Sequence, residues 1–413
     1  MADIRSYDKE KKKRESAKSK AKGNLRLVKS ESDESFEEKL RKHRVSYLYR
    51  ILLIAIAIIG ILILVLVQYQ KKVYTDYDVV SEHAIQVAPG TTMARLGKNI
   101  LFYSTDGAYC VDADGTVLWN QTYEMQYPVL DINGEVLALA DYHGRTVYIY
   151  NEEKHCGTIT TNLPLTNLTV AQNGIVAAIL EDDDVTWIYV YDTTGKELVK
   201  FRTMMKNTGY PVSVSLSPDA LLCAVSYLYV DAGIMKSSVA FYNFDEYGQN
   251  QIDNLVGGYD YTDKLVPYVR FMTDTRAFAL GDDCIVFYGG SQKPEVLAIH
   301  YFNTEIRGVY YNENYVGVVF YNDMGGDRFR MEIYDASGKK VRTQDFALDY
   351  TDILFDEESF IIYNEEECIV TTMDGVQKYN GPFKKAVTLL NRGNGGYRYL
   401  MLTQDSLDVI QMR

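Results

Sequence analysis

The sequence predicts an all-β protein: a β-propeller of eight four-stranded blades, preceded by one transmembrane helix. Three observations predict it. One uninterrupted apolar run lies near the N-terminus. Short strand-like segments separated by turn residues fill the chain beyond it. Those segments recur about every 43 residues, the length of a propeller blade.

The apolar run, Ile51 to Val67, is seventeen residues long, and fourteen of them are Ile, Leu or Val. Only Ala55, Ala57 and Gly60 interrupt it. A helix of this length rises about 26 Å, and Tyr47, Tyr49 and Tyr69 carry it to the ~30 Å of a hydrocarbon core while supplying interfacial rings. A core helix of a soluble protein would need a polar face, and this run has none. Residues 47–70 are therefore expected to span a lipid bilayer. Lys39, Arg41, Lys42, Arg44 and Arg50 precede the span, whereas Lys71 and Lys72 follow it and are soon met by Asp76, Asp78 and Glu82. This bias predicts a single-pass protein of the cell membrane with a cytoplasmic N-terminus and an extracellular C-terminal domain. The exit, Val67-Gln-Tyr-Gln70, lacks an Ala-x-Ala-like cleavage site, so the span reads as an uncleaved anchor.

Residues 1–46 form a tail too poor in apolar residues to fold. It divides into a Lys-rich block, Lys9 to Lys22, and an acidic block, Glu31 to Glu38. The first 50 residues carry a net charge of +7 and the remainder −20. A basic head on an acidic body points to two compartments. The head is a topology signal and a candidate contact for anionic lipid, and nucleic acid is not expected as a partner. Glu37 to Arg50 are expected to be helical and to run into the span.

Residues 71–80 read as a linker and 81–413 as the propeller. The chain has 35 tyrosines, and its runs of Val, Ile, Phe and Tyr suit half-buried strands. Asp106-Gly107, Asp114-Gly115, Asn133-Gly134, Asn173-Gly174 and Asp374-Gly375 fall between such runs, as tight hairpin turns require. Aligned on the segment expected to line the inside of each unit, the repeats begin at Ile100, Val136, Ile175, Leu221, Ala277, Tyr315, Phe360 and Tyr399. Eight anchors predict eight blades, with seven as the alternative. A third strand repeats as Tyr150-Asn151, Tyr191-Asp192, Tyr242-Asn243 and Tyr334-Asp335. The last unit offers three strands, and Glu82 to Val87 are expected to supply the fourth, closing the ring and removing an exposed edge.

Asp106-Gly-Ala-Tyr-Cys-Val-Asp-Ala-Asp-Gly-Thr-Val-Leu-Trp119 resembles the repeat of pyrroloquinoline-quinone-type propellers, with its glycine turn and closing Trp. Leu216-Ser-Pro-Asp-Ala-Leu-Leu222 is similar to the opening of WD-like blades. The whole chain resembles an uncharacterised family of membrane-anchored propeller proteins from Gram-positive, largely clostridial bacteria. The resemblance implies the propeller fold over residues 90 to 413. It does not carry quinone chemistry over, because the chain has only Trp119 and Trp187 and no adjacent cysteine pair. The non-enzymatic eight-bladed propellers of the cell envelope, which scaffold other proteins, are the nearer analogy.

The inventory of reactive groups agrees. Cys110, Cys156, Cys223, Cys284 and Cys368 have no zinc-like spacing and mostly lie in apolar strands, so buried thiols are expected, with one or two bridges between blades as the alternative. His43, His83, His143, His155 and His300 have no partner at ligand or triad spacing. Asp112-Ala-Asp114-Gly115 lacks the distal ligands of a calcium loop, and Glu181-Asp-Asp-Asp184 reads first as a solvated turn, with calcium as the sharper alternative. No catalytic, cofactor or metal residue is selected.

Two long insertions are the candidate interaction loops. One carries Tyr229 and Met235, and the other, between Phe244 and Pro267, carries Tyr247, Tyr259 and Tyr261. Long loops on rigid sheets commonly bind, and tyrosines offer contact area with a polar handle. The expected function is a non-catalytic scaffold or adaptor for envelope or membrane proteins. The alternatives are a sensor of wall glycan, peptide or cation that signals through the span, and an envelope hydrolase or lyase.

Overall fold

The computed structural model describes residues 36–182, 185–203, 209–322 and 325–413. The described residues fall into two units, divided between Lys72 and Val73. The basic and acidic blocks of the tail lie outside the described residues.

Among the described residues of the first unit one α-helix, α1, runs from Phe36 to Lys71. Its stretch Arg41–Val65 is long and apolar enough to cross a membrane. The helix begins as the sequence predicts, before the charged residues that precede the apolar run.

The second unit is eight antiparallel sheets of four strands each. Seven are built from consecutive strands, spanning residues 92–122, 128–160, 165–203, 210–261, 268–301, 306–346 and 352–382. These are blades 1 to 7. Blade 8 takes three strands from 389–412 and its outermost from the start of the domain, β1 (Tyr77–Ala84), which pairs antiparallel with the final strand, β32 (Ser406–Met412). The clasp is thus present, but it starts at Tyr77 rather than at Glu82, inside the stretch read as linker. Two buried tyrosines explain the shift. Tyr74 and Tyr77 fill the apolar cluster between blades 7 and 8, and the Tyr74 amide donates to the Lys378 carbonyl at 2.6 Å.

Eight apolar clusters, one between each adjacent pair of blades, form the core of the described ring. The first strands of blades 2 and 3, 3 and 4, 4 and 5, 6 and 7, and 8 and 1 touch, which puts the first strands on the inside of the ring, along its channel. The anchors read from the sequence mark instead the second strand of each blade, on it or one residue before it. Their mistaken placement has a simple cause. The second strand packs on both faces and is the most apolar, whereas the channel strand has one wet side.

The aromatic-Asx repeat closes the third strand. The side chains of Asp112, Asn151, Asp192, Asn243 and Asp335 each accept from backbone amides two to four residues on, holding the turn to the fourth strand. Gly338, at φ 83°, shows why glycine follows in this turn, because a Cβ there would also lie 2.8 Å from Phe287. The first-to-second and third-to-fourth turns all fall on one face of the ring. The chain also enters there at Val73, so it is called the proximal face. The second-to-third turns lie on the distal face.

Candidate interaction surface

Blade 4 departs from the other blades in length. Its second and third strands, β15 (Leu222–Asp231) and β16 (Ile234–Asn243), have ten residues each. The first strand, β14 (Tyr210–Leu216), pairs with β15 as far as Leu228, and the fourth, β17 (Leu255–Tyr261), pairs with β16 as far as Ser237. Among the described residues, 229–231 and 234–236 are therefore paired only with each other. The turn Ala232-Gly233 has φ 51° and 81°, the doubly positive geometry that matches strand twist. At this distal tip Val230 is 66%, Ile234 59% and Met235 52% exposed, while Lys236 bonds Asp231 at 2.6 Å. Tyr229 stands opposite Lys236 on the half-buried shoulder. The first predicted loop is thus a two-stranded β-ribbon with an apolar end.

The second predicted loop divides. Tyr247 is exposed on a short helix, α2 (Glu246–Gln249), whose first turn is capped by the Asp245 carboxylate accepting from the Tyr247 amide at 2.9 Å. It lies on the proximal face, away from Tyr229 and Met235. Tyr259 and Tyr261 are not in a loop at all, because they belong to β17. The Tyr259 hydroxyl donates to the Pro294 carbonyl at 2.8 Å, and Tyr261 shares a hydrogen bond with the Tyr288 hydroxyl. Burial pushes the Tyr261 hydroxyl up to about 12. These two half-buried rings fasten blade 4 to blade 5.

An exposed apolar row lies beside them, which residue pattern alone does not reveal. Blade 5's fourth strand, β21 (Glu295–Tyr301), exposes Val296, Leu297, Ile299 and Tyr301. Leu221, Ile252 and Leu255 are exposed on blade 4. Of the twenty exposed large apolar side chains on the described ring from Val79 onward, eleven belong to blades 4 and 5. They are distributed over the distal ribbon, the proximal turns and the outer strands of these two blades.

The channel is occupied by its own side chains. Arg270 of blade 5 reaches Asp131 of blade 2 at 2.6 Å and the Ile132 carbonyl at 2.6 Å. The other Asp131 oxygen accepts from Thr169 and the Val170 amide. Arg95 of blade 1 bonds Asp352 and Tyr363 of blade 7 and donates to the Leu390 carbonyl of blade 8. Both guanidinium groups are held above their ordinary pKa by these carboxylates and the nearby tyrosines, against the opposing effect of burial. These residues lie far apart in sequence, and only ring geometry brings them together. Asp131 and Asp352 are each paired with an arginine, which ties non-adjacent blades together.

The five cysteines are free thiols, four of them buried and Cys156 half-buried. Burial pushes Cys110 up to about 12 and Cys284 to about 11. Among the described residues no cluster of three or more His, Cys, Asp or Glu could hold a metal ion. The Asp112 carboxylate is taken up by its turn, as hairpin chemistry predicts. Glu181 accepts from the Tyr210 hydroxyl at 2.5 Å, and Asp183 and Asp184 lie outside the described residues.

The fold and surface define an eight-bladed propeller whose exposed apolar side chains are concentrated on two adjacent blades. The chain belongs to a family of unknown function, DUF5711, whose model matches residues 70–412. Among curated proteins none matches its sequence. Sqt1 of Chaetomium thermophilum, solved bound to the N-terminus of the ribosomal protein L10, is similar in fold: TM-score 0.51, 10% identity, 82% of this chain and 100% of that one covered. BamB of Moraxella catarrhalis is similar at TM-score 0.48 and 11% identity over 82% of this chain and 100% of that one. Apo AztD of Citrobacter koseri is similar at TM-score 0.47 and 9% identity over 72% and 86%.

Proposed function

We propose that this protein is a membrane-anchored, non-catalytic scaffold of the cell envelope. In this reading α1 crosses the membrane with the basic tail in the cytoplasm, and the propeller binds a protein partner outside through blade 4. The observation that carries it is the apolar ribbon tip of Val230, Ile234 and Met235, raised on strands longer than their neighbours. Exposing three large apolar side chains costs solubility and brings the ring no stability, so contact with a partner explains it. The Arg-paired channel carboxylates support bracing over catalysis. Sqt1, a propeller that holds a protein segment, shows that this fold can serve such a role.

The test is affinity capture of the full-length protein after in-cell cross-linking, compared with Val230→Asp/Met235→Asp and with the membrane span alone. The proposal expects at least one envelope protein captured by the wild type and lost from both controls. Identical captures from all three would sink it.

A further inference from the structure

We propose that the proximal insert of blade 4, tipped by Ile252, seats in the interfacial layer of a lipid bilayer and so holds the proximal face of the ring toward the membrane. The proposal rests on the membrane anchoring argued above but not on the blade 4 ribbon, which lies on the distal face.

Eleven residues, 244–254, connect β16 to β17, where the same turn in blades 1 to 3 and 5 to 7 takes three to five. Ile252 in this insert is 87% exposed, more than any other large apolar side chain on the described ring. Tyr247 in the insert and Leu221 in the blade's other proximal turn are exposed too. Among the described residues, no proximal turn of another blade exposes a large apolar side chain. Val73, where the chain enters this face, is exposed as well.

The tip is built to stand out. Asp253 and Asn254, directly after it, hold φ at 54° and 58°, a conformation that costs energy in residues other than glycine. The Phe244 amide donates to the Leu221 carbonyl at 2.9 Å and the Gln251 amide to the Gly248 carbonyl at 2.8 Å. Asn243 Nδ2 donates to the Gln292 carbonyl of blade 5 at 3.0 Å, and buried Gly248 has no room for a Cβ against the Asn243 carbonyl. These contacts fix the insert, yet Ile252 itself gains no burial from them.

Chain length selects the occupant. Helix α1 ends at Lys71, and the Tyr74 amide is already bonded to the Lys378 carbonyl of blade 7. At most about 11 Å of chain joins the two points. A protein that covered the proximal face would have to enter between the ring and the bilayer, whereas lipid is present there from the start. Blade 4 is opposite the tether, where a single contact fixes the tilt of the ring. Aliphatic side chains dip into the interfacial layer and tyrosine rings favour it. Glu246 and Asp253 lie in the same insert, so the attachment is apolar and does not call for anionic lipid. Tethering raises the effective concentration of the insert at the membrane, so a few side chains suffice.

The experiment uses the full-length chain in a Cys156→Ser background, reconstituted in phosphatidylcholine vesicles with a nitroxide on one introduced cysteine. Relaxation by oxygen, which concentrates in lipid, is compared with relaxation by a nickel chelate held in the water on both sides of the bilayer. Labels at Ile252→Cys and Tyr247→Cys should meet the chelate about threefold less than a label at Val230→Cys on the distal ribbon, and should meet oxygen more. Leu221→Asp/Ile252→Asp should return the Tyr247→Cys label to the Val230→Cys value. A label at Ile59→Cys, within the span, reads the anchoring separately and should be shielded from the chelate. If it is shielded while Ile252→Cys meets the chelate as Val230→Cys does, the anchoring stands and this proposal falls. Chelate access at Ile59→Cys overturns both. Shielding of Ile252→Cys without a gain in oxygen would put protein there instead of lipid and would overturn the proposal, as would shielding of Tyr247→Cys that survives Leu221→Asp/Ile252→Asp.

Discussion

Blade 8 and blade 4 face each other across the ring, and their outer parts are built from opposite materials. Blade 8 is where the two ends of the domain meet, and charge holds it. Asp76 is met by Lys384 at 2.9 Å and by Arg413 at 3.4 Å. Asp78 is met by Arg413 at 2.9 Å. Glu82 and Asp408 stand directly opposite each other across the β1–β32 pair, and Lys385 bonds both, at 2.8 and 3.0 Å. Blade 4 has no seam to close, and it spends its extra length on an apolar ribbon that stabilises nothing within the ring. If the ribbon binds a partner as proposed, stability and contact belong to different sectors, and substitutions in one should leave the other's property alone.

The largest test removes the seam. A chain starting at Gly90 lacks Tyr74, Tyr77 and the fourth strand of blade 8. Its ring should lose on the order of 5 kcal/mol from lost burial and pairing, read as a collapse of cooperative thermal unfolding relative to a chain starting at Val73. Equal melting of the two would mean that the clasp is ornamental.

A smaller test removes one charge. Asp408 is fully buried with one oxygen unpartnered, and Lys385 supplies its counter-charge. Lys385→Ala should cost about 3 kcal/mol in denaturant unfolding, because an uncompensated buried carboxylate remains. Adding Asp408→Asn should restore much of that loss. If the double variant is no more stable than the single one, the buried charge is not the cause.

Acid should loosen the same seam first. Hydrogen bonding to Lys384, then to the Tyr77 amide, holds the Asp76 carboxyl below its ordinary 3.8. A carboxyl lowered on folding contributes stability above its unfolded value, and that stability is lost as pH falls through the folded value. Below about pH 4, amide exchange in β1 should therefore rise before exchange in β15 and β16. The reverse order would place the acid-sensitive element elsewhere.

The smallest stability effect belongs to the ribbon. Val230→Ser, Ile234→Ser and Met235→Ser together should stay within about 0.5 kcal/mol of wild type, as exposed positions do, while abolishing partner capture. A large stability loss would show that the tip packs within the ring.

Much of this architecture is legible in the chain because its signals are local. The helix follows from seventeen consecutive residues, and blade spacing follows from the apolar second strands and the Asx turns. The closing strand was anticipated but placed five residues late, since Tyr74 and Tyr77 look like linker residues until the cluster between blades 7 and 8 shows what they fill. Tyr229 and Met235 are legible as a long insertion. Tyr259 and Tyr261 are misleading, because two glycines beside them, Gly257 and Gly258, look like a loop and belong to a strand. Arg270 with Asp131 and Arg95 with Asp352 are invisible in sequence, since each pair meets only when the ring closes. The exposed row on β21 is equally silent, because a buried and an exposed strand of Val, Leu and Ile read alike.

The central claim is that blade 4 carries a contact surface that is covered in the cell. Hydrogen–deuterium exchange on the full-length protein, measured in native membranes and again after purification in detergent, tests it directly. The account predicts that residues 229–236 are protected in membranes and lose that protection on purification, while β1 and β32 exchange equally in both. Equal exchange of 229–236 in the two preparations would contradict it.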